Sequence, residues 1–90
     1  MFAVVVRVEL PEGGTIEQGR QILDSQVIPR VKSLPGFVAG YWLHPSTGRE
    51  GLSVAIFEDE QAARGAAANL QVPEPVKLLH VEVREVARSA

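Results

Sequence analysis

Alternate positions in the first ten residues are apolar. Phe2, Val4, Val6, Val8 and Leu10 share one parity, and Ala3, Val5, Arg7 and Glu9 share the other. Period-two alternation in a β-branched run predicts a strand with one fully buried face. Pro11-Glu12-Gly13-Gly14 stops it, because proline lacks a ladder donor and glycine turns freely. Thr15 and Gln18 stand at capping-box spacing and place a helix start there. Ile16, Leu23, Val27, Val31 and Leu34 then follow at intervals of 7, 4, 4 and 3, which draws one apolar helical stripe. Pro29 lies inside that stripe and predicts a bend or a loosened turn rather than an end. Pro35-Gly36 ends the helix.

Phe37 to His44 reads as the second strand and Gly51 to Glu58 as the third, joined through the polar segment Pro45-Ser46-Thr47-Gly48-Arg49-Glu50 as a hairpin with a longer loop. Asp59 caps a short alanine-rich helix from Gln61 to Leu70, whose small side chains predict close approach to the sheet. Gln71-Val72-Pro73-Glu74-Pro75 breaks it, and Val76 to Val86 returns as the last strand. Leu79, Val81 and Val83 are expected on one face of that strand, with Leu78, His80, Glu82 and Arg84 on the other. The tail Ala87-Arg88-Ser89-Ala90 is expected to fray. The order β-α-β-β-α-β is the split arrangement of ferredoxin-like α+β folds: a four-stranded antiparallel sheet with right-handed crossovers and both helices on one face. With no linker or repeat in its 90 residues, the chain is expected to form one domain over 1–90.

That arrangement leaves the other sheet face open, and an open antiparallel face normally reads polar at every second position. Here Ala3, Val5, Ala55 and Phe57 are assigned to it, with Leu78 and either Tyr41 or Trp42. An apolar patch of that extent marks an interface, and a second copy of the chain is the expected partner. Val5, Ala55, Phe57 and Leu78 are the dimer-interface candidates. A homodimer also suits the size, since so short a chain buries only about 60–65% of its unfolded surface alone.

Composition narrows the function classes. Hydrophobic residues at 46% against 22% charged exclude a disordered chain. A net charge of −2 without a basic block leaves no footprint for nucleic acid. The absence of cysteine removes disulfides, thiolate metal sites and a cysteine nucleophile. No run of about 18 apolar residues spans a membrane. The opening Met1-Phe2-Ala3-Val4-Val5-Val6-Arg7 lacks the basic region and cleavage site of a signal peptide, so a cytoplasmic location is expected.

The element order, the turn Leu34-Pro35-Gly36-Phe37 and the junction Ala55-Ile56-Phe57-Glu58-Asp59-Glu60 together resemble the dimeric α/β-barrel superfamily. Within it, the chain is most similar to the small antibiotic-biosynthesis-monooxygenase-like bacterial proteins, many of them uncharacterised. The resemblance runs from Phe2 to about Val86. It implies two sheets facing each other across a dimer axis, with a cavity inside the barrel or between sheet and helices. It also implies a small aromatic or polyketide-like ligand, with cofactor-free monooxygenase-like chemistry or simple binding as the activity. The haem-degrading members use an asparagine on the first strand and a tryptophan near the end of the third. Here the matching stretches read Val4-Val5-Val6-Arg7-Val8 and Ile56-Phe57-Glu58-Asp59, a departure that argues against haem degradation.

Arg7, Tyr41, Trp42 and His80 are the ligand-pocket candidates. Arginine holds a carboxylate or enolate oxygen through a forked donor pair, and a histidine moves a proton near neutrality. One of Tyr41 and Trp42 faces inward and stacks on a flat ligand, the other packing in the core. The simpler reading pairs Arg7 with Glu82 across the strands and leaves His80 as an interface residue. His44, before Pro45, reads as an exposed turn histidine. Two lone histidines without clustered carboxylates make no metal site, and no cofactor is expected. A non-catalytic homodimeric structural or interaction module is the alternative to a ligand-binding protein.

Overall fold

The computed structural model describes Met1–Ala90. Strand β1 (Phe2–Glu9) leads to a helical stretch made of α1 (Ile16–Ile22), a π-helical segment (Leu23–Val27) and α2 (Ile28–Lys32). Strands β2 (Phe37–Leu43) and β3 (Glu50–Phe57), helix α3 (Glu60–Ala68) and strand β4 (Lys77–Glu85) follow. The strands form one antiparallel sheet in the order β2-β3-β1-β4. This is the expected α+β, ferredoxin-like βαββαβ arrangement.

Local chemistry sets the element ends. Thr15 Oγ1 accepts from the Gln18 amide at 3.1 Å, and the Thr15 amide donates to Gln18 Oε1 at 3.0 Å, so the capping box is complete. Asp59 accepts from the Ala62 amide at 2.8 Å and caps α3. Pro29 cannot donate to the carbonyl four residues back, and the helix meets it by widening into the π segment just before it. The stripe therefore continues past Pro29, as its spacing predicts. Gly36 has φ +77°, and a Cβ there would lie 2.9 Å from the Ala62 Cβ. Only glycine permits both this turn and the close approach of α3.

The core lies between the sheet and α3. Val4, Val6, Phe57 and Ala63 are its buried centre, and Phe2, Val8, Leu34, Phe37, Val81 and Val83 pack around it. Ala63 has no exposed surface, which is what an alanine helix pressed on a sheet should give. Leu34 brings the end of the first helical stretch to the same side. No residue of that first stretch is fully buried, so its apolar stripe covers the sheet less tightly than α3 does.

Candidate functional site

Residues paired directly across antiparallel strands point to the same side of the sheet, so the register assigns every strand residue a face. Val4 pairs with Ala55 and Val83, and Phe2 with Phe57, which puts these on the helix side. The opposite, open face is a lattice of three rungs running β2 to β4. They are Ala39–Ile56–Ala3–Arg84, Tyr41–Val54–Val5–Glu82, and Leu43–Leu52–Arg7–His80. Eight of its members are apolar side chains, and they occupy the β2, β3 and β1 columns. The charged column His80–Glu82–Arg84 lies along the β4 edge, with Arg7 beside it.

This geometry splits the four ligand-pocket candidates. Arg7, Tyr41 and His80 share the open face. Trp42 pairs with Ser53, opposite Val6, and so lies on the helix side. Its indole folds back along its own strand over Gly40, where a Cβ would meet Trp42 Cη2 at 2.8 Å. Gly40 thus makes the room that the ring occupies. Tyr41 stays 59% exposed and is the aromatic of the open face.

Three of the four interface candidates need correction. Val5 stands on the open face as expected. Phe57 is 1% exposed within its own chain and meets Phe37 edge-on at 6.0 Å. Ala55 packs against the same core. Both belong to the helix side, and Leu52, Val54 and Ile56 take their place on the open face. The reason is that β3 carries bulky apolar Leu52, Val54 and Ile56 at one parity and Gly51, Ser53, Ala55 and Phe57 at the other, a pattern that does not say which set meets the helices. Pairing with β1 chooses one. Leu78 moves for a different reason: the register slips between Arg7 and Val8, leaving Leu79 unpaired and setting Leu78 opposite Val8. A bulge flips every residue beyond it to the other face. The alternation of Leu52, Val54 and Ile56 is visible in the sequence as one set, but the face that set takes is decided only by its pairing with β1.

The electrostatics also depart from expectation. Arg84 Nε donates to Glu82 Oε2 at 2.6 Å, and His80 Nε2 lies 3.4 Å from Glu82 Oε1. The hydrogen bond from Arg84 is the main cause that holds the Glu82 carboxyl below its ordinary value, with a smaller contribution from His80. Glu82 is therefore satisfied along its own strand, and the cross-strand pair with Arg7 does not form. Arg7 instead approaches Glu50 at 4.0 Å, with both side chains about half exposed. Next to them Arg49 stands 4.0 Å from Glu9.

Two concavities lie elsewhere. One, of about 450 Å³, runs between the Leu34-Pro35-Gly36 turn and α3, with Glu58, Asp59 and Asn69 on its rim. The other is an open depression of about 760 Å³ over Asp59, Glu60, Gln61, Arg64 and Gly65. Neither reaches Arg7, Tyr41 or His80. No group of three metal-binding side chains is assembled. No helix is long and apolar enough to cross a membrane.

The fold and this two-faced sheet define an α+β protein of ferredoxin-like topology with helices on one side and an apolar open face on the other, the architecture that the sequence resemblance implies. The same fold is found in MhuD, the heme-degrader of Mycobacterium tuberculosis, solved with two hemes bound in its active site. The two align with a TM-score of 0.68 over 100% of this chain and 99% of that one, at 17% identity. At that identity the likeness is one of fold. No family model matches the chain, and no curated protein matches it.

Haem does not fit the residues present. Haem iron takes an axial side chain such as histidine, and the two histidines, His44 and His80, are both exposed. His80 already stands against Glu82. On the helix side Val4, Val6 and Phe57 are buried against α3, and no orphaned polar atom awaits a partner.

Proposed function

We propose that the chain acts as a homodimer, two copies meeting across their open sheet faces, and that this assembly binds a small, flat, partly apolar ligand. The observation that carries the reading is the apolar lattice around Val5, Leu52, Val54 and Ile56, which a lone chain leaves to water. Its extent suits a second copy. The whole open face, with strands of about eight residues rising ~27 Å and four abreast spanning ~19 Å, has a plan area of ~500 Å², of which the apolar lattice fills the β2, β3 and β1 columns. Side-chain relief brings that near the ~800 Å² per partner of a stable interface. A fold that holds two hemes in MhuD accommodates flat ligands, which supports the second half of the proposal.

Sedimentation at micromolar concentration should show twice the chain mass. Val54→Arg should give a monomer with an unchanged circular dichroism spectrum. A wild-type monomer would overturn the dimer. For binding, the neutral probe 2-acetonaphthone should shift amide resonances of open-face residues, and no shift at millimolar concentration would remove that half. A non-catalytic dimer module is the second reading. The position of both concavities beside α3, away from the open face, favours it.

A further inference from the structure

We infer that the first helical stretch is a hinged flap whose α1 end opens and closes over Trp42 on the helix side of the sheet. This goes beyond the dimer reading, which concerns the opposite face. Connectivity places the flap. Strand β1 ends at Glu9, and α1 starts at Ile16 after a short loop at that end of the sheet. Strand β2 finishes at the same end, since Leu43 pairs with Leu52 and Leu52 with Arg7. Helix α3 packs on β1, β3 and β4, which leaves the β2 half to the first stretch. Beneath it, that corner of β2 and β3 turns Gly40, Trp42 and Ser53 toward the helices, so Trp42 is the one large side chain there.

The two ends of the stretch are held very differently. Leu34 packs against the core, and Arg30 Nη1 donates to Gln71 Oε1 at 3.1 Å. Upstream, no side chain from Thr15 to Ile28 makes a hydrogen bond or ion pair outside the stretch itself. Ile16, the first residue of the apolar stripe, stays 58% exposed. Gly19 lies between Ile16 and Leu23 at helical spacing, and a Cβ there would meet nothing within 4 Å. A helix seated on a sheet makes contact at such a position, as the fully buried Ala63 of α3 does. The α1 end therefore stands clear of the strands. Hinges flank it. Gly13, with φ +80°, and Gly14 lead into it. The π segment Leu23–Val27, just before Pro29, interrupts the regular backbone bonding on the other side. Opening at these points exposes little buried apolar surface, so it costs far less than unfolding the core.

Native-state amide exchange on the full chain tests the flap. Amides from Gly19 to Val27 should exchange roughly 100-fold faster than those from Val4 to Val6, through an opening that low urea barely accelerates. Two variants test closure over Trp42. Gly19→Ala raises helix propensity without bulk, whereas Gly19→Leu adds an apolar side chain on the stripe. Relative to Gly19→Ala, Gly19→Leu should slow exchange of the stretch about tenfold, the effect of burying one apolar side chain. It should also lower acrylamide quenching of Trp42, the only tryptophan. Exchange of the stretch as slow as that of β1 would overturn the flap. The same exchange and quenching in both variants would overturn its closure over Trp42.

Discussion

Truncating Phe57 distinguishes a core residue from an interface residue. The ring is 1% exposed, sits among Val4, Val6 and Ala63, and meets Phe37 edge-on. Phe57→Ala removes on the order of 100 Å² of buried apolar surface, worth ~2.5–3 kcal/mol. Residual cavity and the lost aromatic contact bring the expected cost to ~4 kcal/mol. A domain of this size has a total stability of only about 5–13 kcal/mol, so the variant should stay folded at room temperature with a much reduced margin. Its melting temperature should drop by roughly 15–30 °C. Urea unfolding followed by Trp42 fluorescence and far-UV circular dichroism measures the loss. Phe57→Leu, which keeps an apolar side chain, should recover most of it. Sedimentation of the folded fraction supplies the decisive contrast, since Phe57→Ala should leave self-association untouched. A loss below ~1 kcal/mol accompanied by weaker association would refute this placement, because truncation of a core phenylalanine costs several times more.

Four further outcomes are expected. Thr15→Ala should cost about 1 kcal/mol in urea unfolding, since it removes one half of the capping box. Gly36→Ala should cost ~1–3 kcal/mol, because it forces a left-handed conformation and a contact with Ala62; Gly48→Ala, with φ +65° but no neighbour within reach, should cost less. The Glu82 carboxyl is held below its ordinary value of 4.5, so its contribution to stability is present above that pH and lost as pH falls through its lowered native value. Glu82→Gln should therefore flatten this acid limb in unfolding curves taken from pH 6 down to pH 3, and an unchanged slope would contradict the Arg84 pairing. Elemental analysis should find no stoichiometric metal, and haem with a reductant should show no spectral turnover; either one appearing would mean that the residues hold a group for which the sheet shows no place.

Features with a local cause were legible in the chain itself. The helix caps at Thr15 and Asp59 depend on residues three positions apart, and the Leu34-Pro35-Gly36-Phe37 turn depends on what proline and glycine permit. The strand order follows from element sequence and the handedness of crossovers, and the apolar face of β1 follows from its clean alternation. The identity of the open face was only half legible. Val5 and Arg7 inherit their side from β1, but β3 sets bulky Leu52, Val54 and Ile56 against Gly51, Ser53, Ala55 and Phe57, and that alternation does not say which set faces the helices. Only its register against β1 turned Phe57 inward and Val54 outward. The same register separated Trp42 from Tyr41, two neighbours on a strand whose alternation alone names no side. The slip between Arg7 and Val8 moved Leu78 across the sheet, and Arg84 rather than Arg7 took Glu82. Such outcomes depend on which partners lie within a few ångströms after folding. Spacing along the chain specifies periodicity, while the choice of face and of charge partner is made by contacts between strands far apart in sequence.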